Sequence, residues 1–151
     1  ASRTESVLAA ALECDPRAEL IAIHDGARPL VRPEMIDEMI RAGWQTQAAA
    51  PSTPVTDTVK VADDDRWVAS TPDRSTLYAV QTPQVFQANI LKAALQAALA
   101  SGEPVTDDCA AVERLGKRVW LAEGDAENIK ITTPVDLIIV EALLRQREDG
   151  R

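Results

Sequence analysis

An acid, a glycine and an arginine follow directly on a short apolar run in Leu20-Ile21-Ala22-Ile23-His24-Asp25-Gly26-Ala27-Arg28-Pro29. Asp25 could hold a divalent cation or orient a hydroxyl, and Arg28 could grip a phosphate with its planar fork. The plainer alternative is that Asp25 caps the loop and pairs with Arg28 for structure alone. Lys130, flanked by Ile129 and Ile131, is a further candidate. A lysine in that setting is costly unless its ammonium faces a pocket or an anion, or snorkels at a sheet edge. Thr82 falls at another expected strand end, in Gln81-Thr82-Pro83-Gln84, and Thr58 and Arg74 fall on the stretch between. His24 is the only histidine. That argues against a Ser-His-Asp or Cys-His nucleophile, and a lone histidine on a buried strand reads as a satisfied core residue.

These residues need elements to position them. Leu20 to His24 has the continuous apolar character of a buried strand in a parallel sheet, and Asp25-Gly26 stops it. Ligands of open α/β sheets bind beyond the carboxyl ends of the strands, which is where Asp25 and Arg28 would sit. A helical stripe over Thr4 to Glu13 precedes the strand, with Ser2 or Thr4 as cap and Pro16 as stop. Pro33 opens a helix expected to end at Gly43, and Thr46 to Ala50 is expected to be a second buried strand. Val55, Asp57, Val59 and Val61 alternate with Thr56, Thr58 and Lys60 ahead of an acidic turn at Asp63 to Asp65 and Trp67-Val68-Ala69. This predicts a β-hairpin arm over 54–76, which needs a surface to pack on, a second subunit being the obvious one.

A third strand is expected at Leu77 to Gln81, ended by Thr82-Pro83-Gln84, and then a helix from Ala88 to Ala100. Thr106 is the expected N-cap of a helix with Asp107 and Asp108 in its first turn, a role that precedes metal binding for these acids. Strands are expected at Arg118 to Ala122 and at Asn128 to Thr132. A last helix, Val135 to Leu144, should bury Leu137, Ile138, Val140, Ala142 and Leu144, with a fraying tail after it. Strands alternating with helices predict one α/β domain over 1–151, its mostly parallel sheet covered by helices on both faces.

The composition bounds what such a domain does. A length of 151 residues suits one domain with a sizeable core, and only 3% aromatic residues means a core of Ala, Val, Leu and Ile. A net charge of −8 and no basic stripe argue against nucleic acid, and any anionic ligand then needs locally placed cations. No run is long enough to span a membrane and no signal peptide is visible, so a cytoplasmic protein (or one of the plastid stroma) is expected. Cys14 and Cys109 lack metal-ligand spacing and read as two reduced thiols. There is no initiator Met and no Gly-rich loop, and the chain reads as a fragment.

Five stretches then occur in order: His24-Asp25-Gly26-Ala27-Arg28-Pro29, Pro54-Val55-Thr56-Asp57-Thr58-Val59-Lys60, Gln81-Thr82-Pro83-Gln84, Thr106-Asp107-Asp108 and Asn128-Ile129-Lys130-Ile131-Thr132. Together they resemble the 2-C-methyl-D-erythritol 4-phosphate cytidylyltransferases of non-mevalonate isoprenoid biosynthesis. The likeness runs over nearly the whole chain, and Arg3-Thr4-Glu5-Ser6-Val7 is similar to the family segment after a Gly-Gly that helps hold cytosine. It implies a Rossmann-like nucleotidyltransferase fold, of which 1–151 is the C-terminal part, with the arm of 54–76 crossing to a partner in a homodimer. The family's opening AAGxGxRM loop, which cradles the CTP phosphates, is absent from this sequence.

The resemblance implies that CMP passes from CTP to a polyol phosphate, with a divalent ion, Mg²⁺ foremost, bridging the triphosphate. Arg74 and Lys130 would be catalytic by positioning the substrate phosphate. Asp25, Arg28, Thr58, Thr82 and Thr106 would bind substrate, Ser6 and Gly26 the nucleotide, and Asp25 would sit by the metal. Ribitol 5-phosphate as the acceptor, or a non-catalytic dimerising fragment, are the alternatives.

Overall fold

The sheet is built on Ala48–Pro54 (β2), whose first five residues are all buried. The computed structural model describes residues 2–150. Gln84–Gln87 (β6) and Tyr78–Val80 (β5) lie antiparallel along one edge of β2, and Trp120–Glu123 (β7) runs parallel along the other. Leu20–Ile23 (β1) pairs antiparallel with the far side of β6. Thus β1, β2 and β7 share one direction, as expected of the α/β class, while β5 and β6 oppose them. Only the β2–β7 ladder is itself parallel. The reversal arises because the chain returns from the arm straight along the edge of β2, where a parallel strand would need a crossover helix. No strand is expected from the sequence between the stop at Thr82-Pro83-Gln84 and the helix start at Ala88, where β6 lies. This strand is four residues long and runs directly into the next helix, leaving no punctuation between them.

The pairing slips partway. Ala49 lies opposite Val85 but Ser52 lies opposite Val80, so Gln81, Thr82 and Pro83 form a bulge between β5 and β6. The Gln81 N–H still donates to the Pro51 carbonyl at 2.8 Å, and the Thr82–Pro83 peptide is cis.

Small side chains in β2 let helices close on both faces. Pro33–Thr46 (α2) covers one face, where Met39 packs with Ala49 and Val85. Arg3–Glu13 (α1), Ala88–Ser101 (α3) and Asp108–Arg114 (α4) cover the other, around Ala48, Ala50, Phe86, Leu91, Leu95 and Val112. Neighbouring residues of β2 and β6 thus point to opposite cores, as a period of two requires. Gly43 does not end α2. It lies within the helix at its closest approach to the sheet, where an added Cβ would fall 2.5 Å from Val85 Cγ1. The helix stops three residues later, where Gln47 takes a φ of 72°.

The arm holds a two-stranded sheet of its own, Val61–Ala62 (β3) with Val68–Ser70 (β4), turned at Asp63, whose carboxylate accepts from the backbone of Asp65 and Trp67. The alternation from Val55 does not extend the strand: after the Val55 N–H donates to the Leu77 carbonyl, no ladder forms until Val61. Alternation alone does not make a strand without a neighbour to pair with. At the arm's base, Asp73 caps a 3₁₀ turn over Arg74–Thr76, and the Arg74 Nη1 donates to the Thr56 carbonyl at 2.6 Å.

Three expectations near the C-terminus are corrected. Asn128–Thr132 is not a strand; it is a loop held by side chains and by the Ile131 N–H donating to the Ala27 carbonyl at 2.8 Å. The last helix, Pro134–Asp149 (α5), buries Val140 alone, and leaves Leu137, Ile138 and Leu144 exposed. It touches the body along one narrow stripe, so apolar positions on its other sides meet no described element. Its end does not fray before Asp149: Arg147 donates to Glu127 at 2.7 Å and to the Leu30 carbonyl at 3.1 Å. At its start, Asp136 accepts from the backbone and hydroxyls of both Thr132 and Thr133. Those four donors push its carboxyl down to about 2.

Candidate active site

Because β1, β2 and β7 share a direction, the ends of β1 and β7 and the start of β6 meet at one end of the sheet. Three segments emerge there: His24 to Pro29, Gln81 to Pro83, and Asp125 to Ile131. Side chains reaching to backbone carbonyls join them. Arg28 Nη1 donates to the Asn128 carbonyl at 2.7 Å, and Asn128 Nδ2 donates to the Thr82 carbonyl at 2.9 Å. Gln81 Nε2 donates to the Asp125 carbonyl at 2.8 Å and Gln81 Oε1 accepts from the Asp125 N–H at 3.2 Å. Asn128 is wholly buried; its Nδ2 is bonded within the protein, while its Oδ1 has no hydrogen-bond partner among the described residues. Thr82 Oγ1 lies 3.0 Å from both the Asp25 backbone N and His24 Nδ1.

At the centre, one carboxylate oxygen meets two cations. Asp25 Oδ2 lies 3.2 Å from Lys130 Nζ and 3.3 Å from Arg28 Nε. Partial burial alone would raise the Asp25 carboxyl, but Lys130 first and Arg28 second outweigh it and hold it below the usual carboxylate range. The group of three carries a net positive charge. The Arg28 side chain is 10% exposed and committed to Asp25 and the Asn128 carbonyl, whereas that of Lys130 is 46% exposed. Of the two cations, Lys130 is therefore the one open to solvent, and Arg28 is the one committed within the protein.

Of the residues singled out from the sequence, Asp25, Arg28, Thr82 and Lys130 come together here. Gly26 lies beside them, exposed, with open space where a Cβ would stand. Ser6 is on α1, its hydroxyl donating to the Ser2 carbonyl at 3.1 Å, and it shares with His24 the wall of an apolar groove along β1. Thr58 and Arg74 are on the arm, and among the described residues no hydrogen bond or ion pair joins them to Asp25 or Lys130. Thr106 is exposed and does not cap α4. Asp107 does, accepting from the Ala110 N–H at 2.8 Å, because its carboxylate is one residue nearer the first turn. Asp108 is instead buried in a two-pronged pair with Arg3 of α1, at 2.7 and 3.0 Å.

Sequence reasoning passed over Gln81 and Asn128 as parts of the site and took His24 for a satisfied core residue on the strand; His24 instead lies just past β1, exposed, its ring between Thr82 and the Arg28 carbonyl. The one signal for the three is that each is a polar residue beside an apolar stretch. Among the described residues, no three His, Cys, Asp or Glu side chains gather as a metal site. Cys109 is buried beside Asp107 and Asp108, and burial foremost drives its thiol far up, so it stands as a packing residue.

The profile of the IspD family, 2-C-methyl-D-erythritol 4-phosphate cytidylyltransferase, matches residues 1–146. The chain belongs to this family. The cytidylyltransferase of Caldanaerobacter subterraneus subsp. tengcongensis is 52% identical over 132 residues, covering 87% of this chain and 58% of that one. The Synechocystis protein is 41% identical, over 97% of this chain and 64% of its own length. Among solved structures, the 4-diphosphocytidyl-2C-methyl-D-erythritol synthase of Anaerococcus prevotii superposes with a TM-score of 0.89 at 37% identity, covering 96% of this chain and 67% of that one. The cytidylyltransferase of Thermus thermophilus superposes with a TM-score of 0.86 at 34% identity, covering 96% and 70%. The nucleotidyltransferase fold expected from the sequence is thus shown. The chain spans only 55% to 58% of the length of three curated relatives that it matches, those of Caldanaerobacter, Desulforamulus and Geobacillus.

Proposed function

We propose that this IspD-family chain carries the acceptor side of an enzyme that transfers CMP from CTP to 2-C-methyl-D-erythritol 4-phosphate, releasing pyrophosphate. The observation that carries the reading is the cluster of Asp25, Arg28 and Lys130 at the strand ends, with Lys130 half exposed. In this reaction a phosphate oxygen of the polyol phosphate attacks the α-phosphorus of CTP in line. Two polyanions must meet, so the protein's task is charge neutralisation and alignment. Lys130 would hold the attacking phosphate while Asp25, itself anchored by Arg28 and by Thr82, faces the sugar hydroxyls. Ser6 and Gly26 would lie on the nucleotide side, and Thr106 at the edge of the substrate site.

A divalent cation, Mg²⁺ foremost, would neutralise the triphosphate. A lone carboxylate suits Mg²⁺, which takes one or two carboxylates and completes its shell with phosphate oxygens and water. Asp25 would supply that carboxylate. No helix among the described residues is long and apolar enough to cross a membrane; a cytoplasmic setting is part of the proposal.

The test is CTP-dependent pyrophosphate release by the protein at the family's full length, with methylerythritol 4-phosphate and ribitol 5-phosphate offered separately. Release with the first alone is the expected result. Release with ribitol phosphate alone would overturn the substrate assignment, and silence with both would overturn the activity.

We also propose that the arm pairs two subunits and brings Thr58 and Arg74 to the partner's site. Its support is apolar: Val59, Val61, Trp67 and Val68 are all exposed on an arm whose own sheet is two short strands, and Tyr78 and Val80 are exposed on β5 next to its base. Trp67→Lys with Val68→Lys should turn a dimer into a monomer by sedimentation. A dimer of unchanged affinity would sink the arm's role.

A further inference from the structure

We propose that His24 is a positioning residue whose neutral ring is fixed as the Nε2–H tautomer and accepts a hydrogen bond from the Thr82 hydroxyl, leaving Thr82 able to offer a ligand only an acceptor. The inference follows from the directions in which hydrogen bonds can run. His24 Nε2 lies 3.1 Å from the Arg28 carbonyl oxygen, which can only accept, so Nε2 carries the proton. Nδ1 of the neutral ring is then a bare acceptor, 3.0 Å from Thr82 Oγ1. The Asp25 backbone N–H can only donate, and it donates to that same Oγ1 at 3.0 Å. The Thr82 hydroxyl must therefore donate its hydrogen bond to His24 Nδ1. A single directed chain results, from the Asp25 N–H through Thr82 and the His24 ring to the Arg28 carbonyl. The other tautomer would set a bare ring nitrogen against a bare carbonyl and leave the Nδ1–H competing with the Asp25 N–H for one oxygen.

Two consequences follow. The ring spans Arg28 and Thr82, so it sets the backbone on both sides of the Asp25 carboxylate that holds Lys130. Thr82, almost fully buried, has its proton and one lone pair engaged, and only its second lone pair is left to face a ligand. A phosphate oxygen has no proton to give it, whereas a polyol hydroxyl does. Thr82 thus reads a substrate hydroxyl and not the phosphate. Only the name of that ligand rests on the function proposed above.

Because His24 is the sole histidine, ¹⁵N-histidine labelling yields a single ring, observable in the chain itself. Long-range ¹H–¹⁵N spectra at mildly alkaline pH should show Nε2 protonated and Nδ1 bare. A proton on Nδ1, or shifts averaged between both forms, overturns the proposal, whatever the enzyme's substrate proves to be. In the protein at the family's full length, His24→Ala should raise KM for the polyol phosphate about tenfold, one oriented hydrogen bond's worth, while KM for CTP stays within about twofold. His24→Asn, which restores an acceptor near the Nδ1 position, should recover most of that loss. Equal changes in both KM values, or no recovery in His24→Asn, would show a residue that merely supports the fold.

Discussion

Replacing Lys130 by alanine should cut kcat/KM for the polyol phosphate by about 10²- to 10³-fold, the scale on which a single preorganised donor to a reacting anion acts. The effect should fall on the acceptor and hardly touch KM for CTP, because Lys130 faces Asp25 and open solvent at the acceptor side of the proposed site. Lys130→Arg, which keeps the charge on a longer fork, should recover part of the loss. The variant also has a signature that needs no turnover. Burial alone would raise the Asp25 carboxyl, and Lys130 is the chief group holding it down, ahead of Arg28. Its titration midpoint, followed by carboxyl NMR, should therefore move up in Lys130→Ala. The sign for stability follows. A carboxyl lowered in the folded state stabilises above its unfolded value, and that contribution fades as pH falls through the folded one. The variant should thus be less sensitive to acid than the parent at this site. Losses equal for CTP and polyol phosphate, with an unmoved Asp25, would remove Lys130 from the site.

The largest effect on stability belongs to Phe86. It is the only phenylalanine, fully buried in β6, and it packs between the inner faces of α1, α3 and α4. Phe86→Ala should cost about 3–5 kcal/mol, through lost transfer energy and an unfilled cavity. Against a typical domain stability of about 5–15 kcal/mol, that leaves little in reserve. Urea unfolding followed by circular dichroism should show a lower midpoint with an unchanged slope. Phe86→Leu, which keeps most of the volume, should cost less than half as much. Because β6 joins β1 to β2, loosening it should also disturb the turn at Asp25. A loss below about 1 kcal/mol would mean that the surrounding alanines collapse into the space.

The sequence was most legible where one local cause decides one local outcome. The apolar run of β1 and the proline that opens α2 both fell where their residue types require. It was least legible where a distant neighbour decides. Gly43 has the look of a helix stop, yet Val85, forty residues on in a strand not foreseen, is what demands its missing side chain. The valines before Val61 alternate as a strand does, but pairing depends on a second strand that is not there. Lys130 shows both sides. Its expected cost between two isoleucines assumed a strand, whereas the segment is a loop that leaves Lys130 exposed; it still meets an anion, Asp25, one of the settings that reading named. Asn128 and Gln81 went unread because their partners are backbone carbonyls, which every residue has and no motif displays.

That last property has a consequence for how the site can change over generations. Arg28 holds the Asn128 carbonyl, Asn128 that of Thr82, Gln81 that of Asp125, and His24 that of Arg28. In each pair one member is a group that mutation cannot alter. A substitution at the side-chain end therefore has no compensating substitution at the other. These four positions should drift neither in pairs nor gradually, but be kept or lost one at a time, each loss loosening a loop that no second change can retie.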